Sequence, residues 1–453
     1  MEYRLGQIQT VTGIDYTHDG LGVAKDNGHT IFVQNLIIGE QAEVEITFVK
    51  KNFLVGKIKK LITKSQDRIA PLCPVASACG GCQFHHLSYE KELEYKKNKV
   101  LRAFHNIAHI DLAVDDLIGS DNPYFYRNKI IMPLGLDRFG RIIHGFYRKK
   151  SHDIVEINNC YIEDERSSPI IKTIKILMNE FSYKPYDQTS KKGEIRKIMI
   201  RTSRFYEQVM VVIICSKSNI NNFDKFIEKL IEKHPEITTL IKNVNSENTN
   251  VVLGKEEHIL FGSGKIKDRL MGLEFNISSK SFYQVNVNQT EKLYKKAIEY
   301  GALKSTDVVL DAYSGIGTIG MSMAQLVTKV IGVEIVKQAV IDAKENAKLN
   351  NIKNVEYHED DASDFIKKII ANKQVIDVVF VDPPRKGLDT EFVDALLQLK
   401  VAKIVYISCD PATLARDISL LNECYEPTKL AVVDMFSRTF HVENIVLLSL
   451  KTA

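Results

Sequence analysis

The stretch DVVLDAYSGIGTIG, residues 307 to 320, runs from β-branched and apolar residues into three glycines, Gly315, Gly317 and Gly320. An apolar run, then G-x-G-x-x-G, then a helical pattern reads as the first strand, turn and helix of a nucleotide-binding sheet. The glycines suit a place where backbone meets ligand, since only a residue without a side chain allows so close an approach. Asp311 ends the strand. A carboxylate there suits a ligand's ammonium group better than a pyrophosphate, which it would repel. This favours S-adenosylmethionine over a nicotinamide dinucleotide without excluding the latter.

Outward from this stretch, the apolar runs KVIGVEI, NVEYHED, DVVFVDPP and KIVYISCD alternate with helical segments, which implies βαβ units and a parallel sheet. The last two runs, TKLAVVDMF and ENIVLLSLK, have only SRTFHV between them, too short for a helical crossover, and should pair antiparallel. Glu334 closes the second strand, where it could accept from ribose hydroxyls, and Asp361 follows the third, where an adenine would lie. In DVVFVDPPRKG, Asp382 and two prolines stiffen a loop where an open sheet presents its ligand crevice. Arg385 and Lys386 follow, placed to meet phosphate.

The chain has 453 residues, 44% of them apolar, enough for two or three domains. Residues 1–58 alternate apolar and polar positions in short runs and predict a small β-barrel; 59–280 predict an α+β domain that includes the charged helix YEKELEYKKNKVLRAF; 281–453 form the α/β unit. With no secretory leader and no run of eighteen uncharged apolar residues, the sequence argues against secretion and membrane spanning, and a cytoplasmic protein is expected. Sixty-one Lys and Arg against 57 Asp and Glu give a net charge of +4, too mild by itself to indicate nucleic acid.

Seven cysteines without a leader read as thiols, ligands or catalysts rather than disulfides. Cys215, inside VVIIC, and Cys424 are expected to be core thiols. Cys409 differs. It lies at the carboxyl end of a strand, with Asp410 as N-cap and Pro411 at the first helical position, facing the crevice. A helix amino terminus is expected to lower the thiol pKa and favour the thiolate. Alkylating carbon 5 of a pyrimidine needs such a nucleophile, because that carbon reacts only after a thiolate has added to carbon 6. A base must then remove the proton from carbon 5. Glu443, beside His441 in FHVENIVLL, is the candidate. Cys73, Cys79 and Cys82 in CPVASACGGC, with Cys160 in INNCYIED as a fourth ligand, suit a metal centre. Four thiolates fit an iron–sulfur cluster or tetrahedral zinc, and His85 and His86 keep a three-cysteine, one-histidine zinc site open.

The motifs SFYQVN, LDAYSGIGTIG, DPPRKG, SCDPATLARD and HVE together resemble the RNA uracil-5-methyltransferase family, over essentially the whole chain. The resemblance implies a class I, Rossmann-like methyltransferase domain, with Cys409 as nucleophile and Glu443 as base. Around S-adenosylmethionine it implies Gln284, Tyr313, Thr318, Glu334, Asp361 and Asp382. Many members have Asn after the cysteine where this chain has Asp410; either caps a helix. The amino-terminal segment resembles a TRAM domain, an OB-like RNA-binding barrel. For Cys73, Cys79, Cys82 and Cys160 the resemblance implies a [4Fe-4S] cluster, because the rRNA-modifying branch carries this pattern and the tRNA-modifying branch generally lacks both it and the TRAM domain. It likewise implies 23S rRNA as substrate; no obligate protein partner is expected. A tRNA substrate, or an iron–sulfur RNA-binding protein with an inactive methyltransferase domain, are the competing readings.

From residue 127 to residue 150 the chain holds seven Lys or Arg against one Asp, interleaved with Phe139, Phe146 and Tyr147. Such charges neutralise phosphates, and such rings stack on unpaired bases. Arg127 and Asn128 match family positions near the target base. That base must leave its stack to reach Cys409, so an unpaired loop is expected as the site.

Overall fold

A computed structural model describes residues 3–149, 151–247, 249 and 251–452. At the amino end, six strands make one sheet in the order Ile8–Thr12, Gln41–Val49, Phe53–Thr63, His29–Val33, Gly22–Asp26, Asp15–Tyr16. Alternation turns Val11, Ile31, Val33, Val44, Ile46 and Leu54 inward. The expected closed barrel is not formed. Ile8–Thr12 and the two-residue strand Asp15–Tyr16 are opposite edges with no ladder between them among the described residues, and two residues offer too few backbone groups to seal the seam. The last strand runs to Thr63, past the expected boundary at residue 58.

The central sheet has seven strands, ordered Ile154–Glu156, Ile142–Tyr147, Lys129–Leu136, Ile195–Thr202, Val209–Cys215, Ile237–Val244, Glu256–Phe261. Helices Ser167–Glu180 and Phe223–Lys233 pack their apolar stripes, among them Ile170, Ile174, Phe226 and Leu230, against one face. Cys215 lies in this core, as expected. From the other face Met199, Met210, Val212 and Ile214 continue into the core of the carboxyl-terminal domain.

The carboxyl-terminal sheet has eight strands: Val355–Glu359, Lys329–Glu334, Val308–Ala312, Val378–Val381, Lys403–Ser408, Glu443–Leu450, Tyr425–Val433 and, at the edge, Asp116–Ile118. The first five run parallel and Glu443–Leu450 runs antiparallel to both its neighbours, as expected. Strand Asp116–Ile118 adds to this sheet, parallel to Tyr425–Val433. Helix Tyr89–Ala103, expected in the central domain, belongs here too. Its Val100, with Phe104, packs into the core under Leu414 and Ile418 of helix Pro411–Leu421. Hairpin Lys265–Leu270 with Leu273–Ser278 also leans on this domain, through Asn346 and Asn350 side chains that accept from Asn276 and Glu274 backbone N–H groups, each at 2.9 Å. No helix among the described residues is long and apolar enough to cross a membrane.

Candidate active site

The carboxyl ends of Val308–Ala312, Lys329–Glu334, Val378–Val381 and Lys403–Ser408 bring Asp311, Tyr313, Glu334, Asp382 and Cys409 to the same edge of the parallel sheet, the edge at which open parallel sheets bind ligands in a crevice. Asp311 is 1% exposed. Its Oδ2 accepts the Gly320 N–H at 2.9 Å, while Oδ1 is buried without a partner. A side chain at residue 320 would bring a Cβ to 2.8 Å from Asp311 Oδ2, so any larger residue there would displace the Asp311 carboxyl. Gly315, at φ +55°, has open space above it, where a ligand can lie against the backbone. Tyr313 holds φ +66°, a strained conformation of the kind that clusters at ligand sites.

Glu334 folds back on the glycine turn: Oε2 accepts from Gly315 N–H at 3.1 Å and Oε1 from Val336 N–H at 2.8 Å. Thr318 opens the helix after the glycines and its hydroxyl lies 2.9 Å from the Tyr294 hydroxyl. Asp361 caps helix Ala362–Ala371, accepting from Ser363 N–H at 2.9 Å, while its neighbour Asp360 pairs with Lys368 at 2.5 Å. Gln284 is buried, and its carbonyl accepts from Asn128 Nδ2 at 3.0 Å. That bond ties the segment before strand Lys129–Leu136 to the segment before helix Val287–Gly301.

The crevice gathers carboxyl groups in poor contact with water. Burial raises Asp311 to about 8, helped by Asp382 and Glu334 and opposed by the Gly320 amide. Burial alone raises Asp382 to about 7. Groups held neutral this way ionise when a cation arrives. An unpaired carboxylate oxygen, a bare backbone over Gly315 and this cluster of carboxyls fit a ligand carrying a sulfonium and an ammonium group, and S-adenosylmethionine carries both.

Cys409 follows strand Lys403–Ser408. Asp410 caps the next helix, accepting from Ala412 and Thr413 N–H groups at 2.9 and 3.1 Å, and Pro411 takes the first helical position. The antiparallel register pairs Ser408 with Asn444, so the next step sets Cys409 opposite Glu443. Asn444 Nδ2 pins this corner to the Ser408 carbonyl at 3.0 Å. The expected low thiol pKa is not found. Burial first, then Glu443 and Asp382, push Cys409 up to about 12, with Arg385 opposing. The carboxylates and desolvation outweigh the helix terminus, whose effect is worth about 1 kcal/mol at most exposed sites. Glu443, 3% exposed, is likewise held well above the ordinary carboxylate range by burial and Asp382. Burial holds neighbouring His441 down to about 4, so it stays neutral near pH 7.

Cys73, Cys79, Cys82 and Cys160 line one cavity of about 380 Å3, with His85, Arg127 and Glu163. His86 is not among its lining residues. The Gly81 N–H donates to Cys79 Sγ at 3.4 Å. Among the described residues, however, no three His, Cys, Asp or Glu side chains stand close enough to hold a single metal ion. The basic stretch is divided rather than one surface. Arg127 and Lys129 line this cavity, whereas Arg138 and Arg141 flank Phe139, 67% exposed, with guanidinium carbons 4.6 and 5.5 Å from its ring. Lys150 lies outside the described residues.

Fold and crevice together define a Rossmann-like methyltransferase. The family model for tRNA (uracil-5-)-methyltransferase matches residues 88–451, and that for the TRAM domain matches residues 4–59. An uncharacterized RNA methyltransferase of Clostridium tetani is 43% identical over 97% of this chain and 95% of its own length. Another, of Staphylococcus aureus strain COL, is 41% identical over 98% of each. The solved tRNA (uracil-54, C5)-methyltransferase of Pyrococcus abyssi, in complex with S-adenosyl-L-homocysteine, superposes with a TM-score of 0.76 at 27% identity, covering 97% of this chain and 99% of that one. The chain belongs to the tRNA (uracil-5-)-methyltransferase family and carries an amino-terminal TRAM domain.

Proposed function

We propose that the protein transfers a methyl group from S-adenosylmethionine to carbon 5 of a uridine in an unpaired loop of 23S rRNA. The observation that carries the chemistry is that Cys409 directly follows Ser408, Glu443 directly precedes its ladder partner Asn444, and Glu443 and Asp382 lie close enough to act electrostatically on the thiol. Bound in that crevice, S-adenosylmethionine supplies an electrophilic methyl group and a positive charge. The charge lowers the pKa of every acid around it, so Asp311, Asp382, Glu443 and the Cys409 thiol ionise more readily in the loaded site than in the empty one. Cys409 Sγ bonds to carbon 6, and the electrons of the 5,6 double bond move toward the carbon 4 carbonyl as an enolate. Carbon 5 then bonds to the methyl carbon as the methyl–sulfur bond breaks, and S-adenosylhomocysteine leaves as a neutral thioether. Glu443 removes the proton left on carbon 5, the double bond re-forms, and the thiolate leaves. Gln284, Tyr313, Thr318, Glu334, Asp361 and Asp382 are assigned to the cofactor.

Cys73, Cys79, Cys82 and Cys160 are assigned to a [4Fe-4S] cluster. A single zinc at 2.3 Å from each sulfur would need the sulfurs within about 4 Å of one another. What supports the assignment is that the four cysteines line one cavity. No step of methyl transfer needs an electron from it.

A tRNA substrate is the second reading. The similarity to the Pyrococcus abyssi tRNA enzyme spans both chains almost end to end, so overall architecture separates rRNA from tRNA less sharply than the resemblance implied. The test offers unmodified 23S rRNA and tRNA side by side with labelled S-adenosylmethionine. 5-Methyluridine in rRNA alone is expected; the same nucleoside in tRNA alone would overturn the substrate and keep the chemistry.

A further inference from the structure

Residues 434–441 lead into Glu443, and this loop is bonded on two flanks. On one, helix Tyr89–Ala103 presents Lys96, whose ammonium reaches Asp434 Oδ1 at 2.5 Å, Glu92 Oε1 at 2.8 Å and the Phe436 carbonyl at 3.2 Å. From the same helix Lys99 donates to the Phe440 carbonyl at 2.9 Å. On the other flank stands the cysteine loop. The backbone N–H groups of Gln83 and Phe84, directly after Cys82, donate to the Arg438 carbonyl at 2.8 and 3.0 Å. The Phe440 N–H donates to Gln83 Oε1 at 3.2 Å, and Gln83 Nε2 donates to the Gly80 carbonyl at 3.2 Å.

Between these flanks Arg438 is buried and held at φ +67°, a conformation that a residue with a side chain keeps only where its surroundings over-determine it. Here they do: Glu92 Oε1 accepts its N–H at 2.7 Å and the Leu87 carbonyl accepts its guanidinium at 3.1 Å. The result is that the Phe440 residue has its N–H fixed by Gln83 and its carbonyl by Lys99, three positions ahead of Glu443.

We propose that Gln83 is a positioning residue for the base Glu443, joining the cysteine loop to the proton-abstraction step. This rests on the assignment of Glu443 as base. Gln83, 9% exposed, supplies the acceptor for Phe440 N–H; without it that donor must find another partner and the segment must shift. A carboxylate displaced by about 1 Å from the carbon 5 proton loses on the order of a hundredfold in rate. Cys409 has anchors of its own in Asp410 and the helix after it, and Asn444 still ties Ser408 within the paired strands, so carbon 6 attack and methyl transfer are expected to be affected less than proton removal. Loss of Gln83 therefore slows the last step most, and the methylated covalent species builds up.

The experiment treats RNA and S-adenosylmethionine with Gln83→Leu, Gln83→Glu and, as reference, Glu443→Gln. It follows the covalent protein–RNA species on denaturing gels against released 5-methyluridine. Gln83→Leu is expected to bind S-adenosylmethionine normally, accumulate the covalent species and turn over about tenfold more slowly or worse. Gln83→Glu, which keeps an acceptor for Phe440 N–H, is expected to restore release. Parallel loss of covalent species and product in Gln83→Leu, loss of its cofactor binding, or a Gln83→Glu variant as impaired as Gln83→Leu would each overturn the role. Absence of the covalent species in Glu443→Gln would show instead that the base assignment itself fails, and the role of Gln83 with it.

Discussion

A thiol must be an anion to add to carbon 6, and in the empty site Cys409 is surrounded by groups that oppose its ionisation, burial raising it to about 12 with help from Glu443 and Asp382. Alkylation of Cys409 by iodoacetamide in ligand-free protein is therefore expected to keep rising past pH 10; peptide mass spectrometry checks this, and a plateau near pH 8.5 would refute the shifted thiol. Cys409→Ala should abolish turnover with cofactor binding retained. Asp311 and Asp382 titrate higher in the fold than in the unfolded chain, so the folded state binds the extra protons. Their stabilising contribution is complete below about pH 4 and fades as pH rises through about 7 and about 8. The Tm of ligand-free protein should fall across that window, and S-adenosylmethionine should recover it. Asp311→Asn should flatten part of the fall while weakening cofactor binding at least tenfold, about 1.4 kcal/mol; scanning and titration calorimetry read both effects. The position of Asp311 was visible as a carboxylate before the glycines. The raised thiol was not, because it depends on Glu443 and Asp382, which other strands bring in.

Among the elements, the turn into helix Pro411–Leu421 has its determinants within four residues: strand end, thiol, cap and proline. Asp410→Ala should cost about 1 kcal/mol of stability and lower kcat by loosening Cys409, whereas Asp410→Asn, which still caps, should keep both; denaturant melts and turnover separate the two. Gly320→Ala should lose cofactor binding, since its methyl group would press on Asp311 Oδ2. Spacing singled out the cysteine loop; Cys73, Cys79, Cys82 and Cys160 share one cavity, but among the described residues no three His, Cys, Asp or Glu side chains stand close enough to hold a single metal ion. Cys160→Ser is expected to lower the iron content of anaerobically purified protein, measured against the wild type. Helix Tyr89–Ala103 shows where local reading stops. In the sequence it is only a charged helix, yet Glu92 and Lys96 are fully buried, and Asp434, more than three hundred residues away, completes their pairing.

Across the whole molecule, RNA has two classes of basic group to meet. The hairpin tip at Arg138, Phe139 and Arg141 is exposed, while Arg127 and Lys129 are turned toward the cysteine cavity. Replacing Arg138 with Ala should weaken RNA binding uniformly across sequences and reduce the salt slope by about one, and Phe139→Ala should weaken it without changing the slope. Filter binding at several salt concentrations distinguishes the two.

By itself the sequence determined the parallel sheet, the antiparallel pair that ends it, the glycine turn with Asp311, and Cys409 at a capped helix start. Each of these rests on residues within a few positions of one another, where periodicity and capping chemistry act. Tertiary structure alone decided that the amino-terminal sheet stays open, that strand Asp116–Ile118 and helix Tyr89–Ala103 join the carboxyl-terminal domain, that the basic stretch splits, and that Gln83 meets Phe440. Those outcomes depend on edge pairing, burial and hydrogen bonds between segments separated by up to 357 positions, and no local pattern records which distant partner will satisfy a buried polar group.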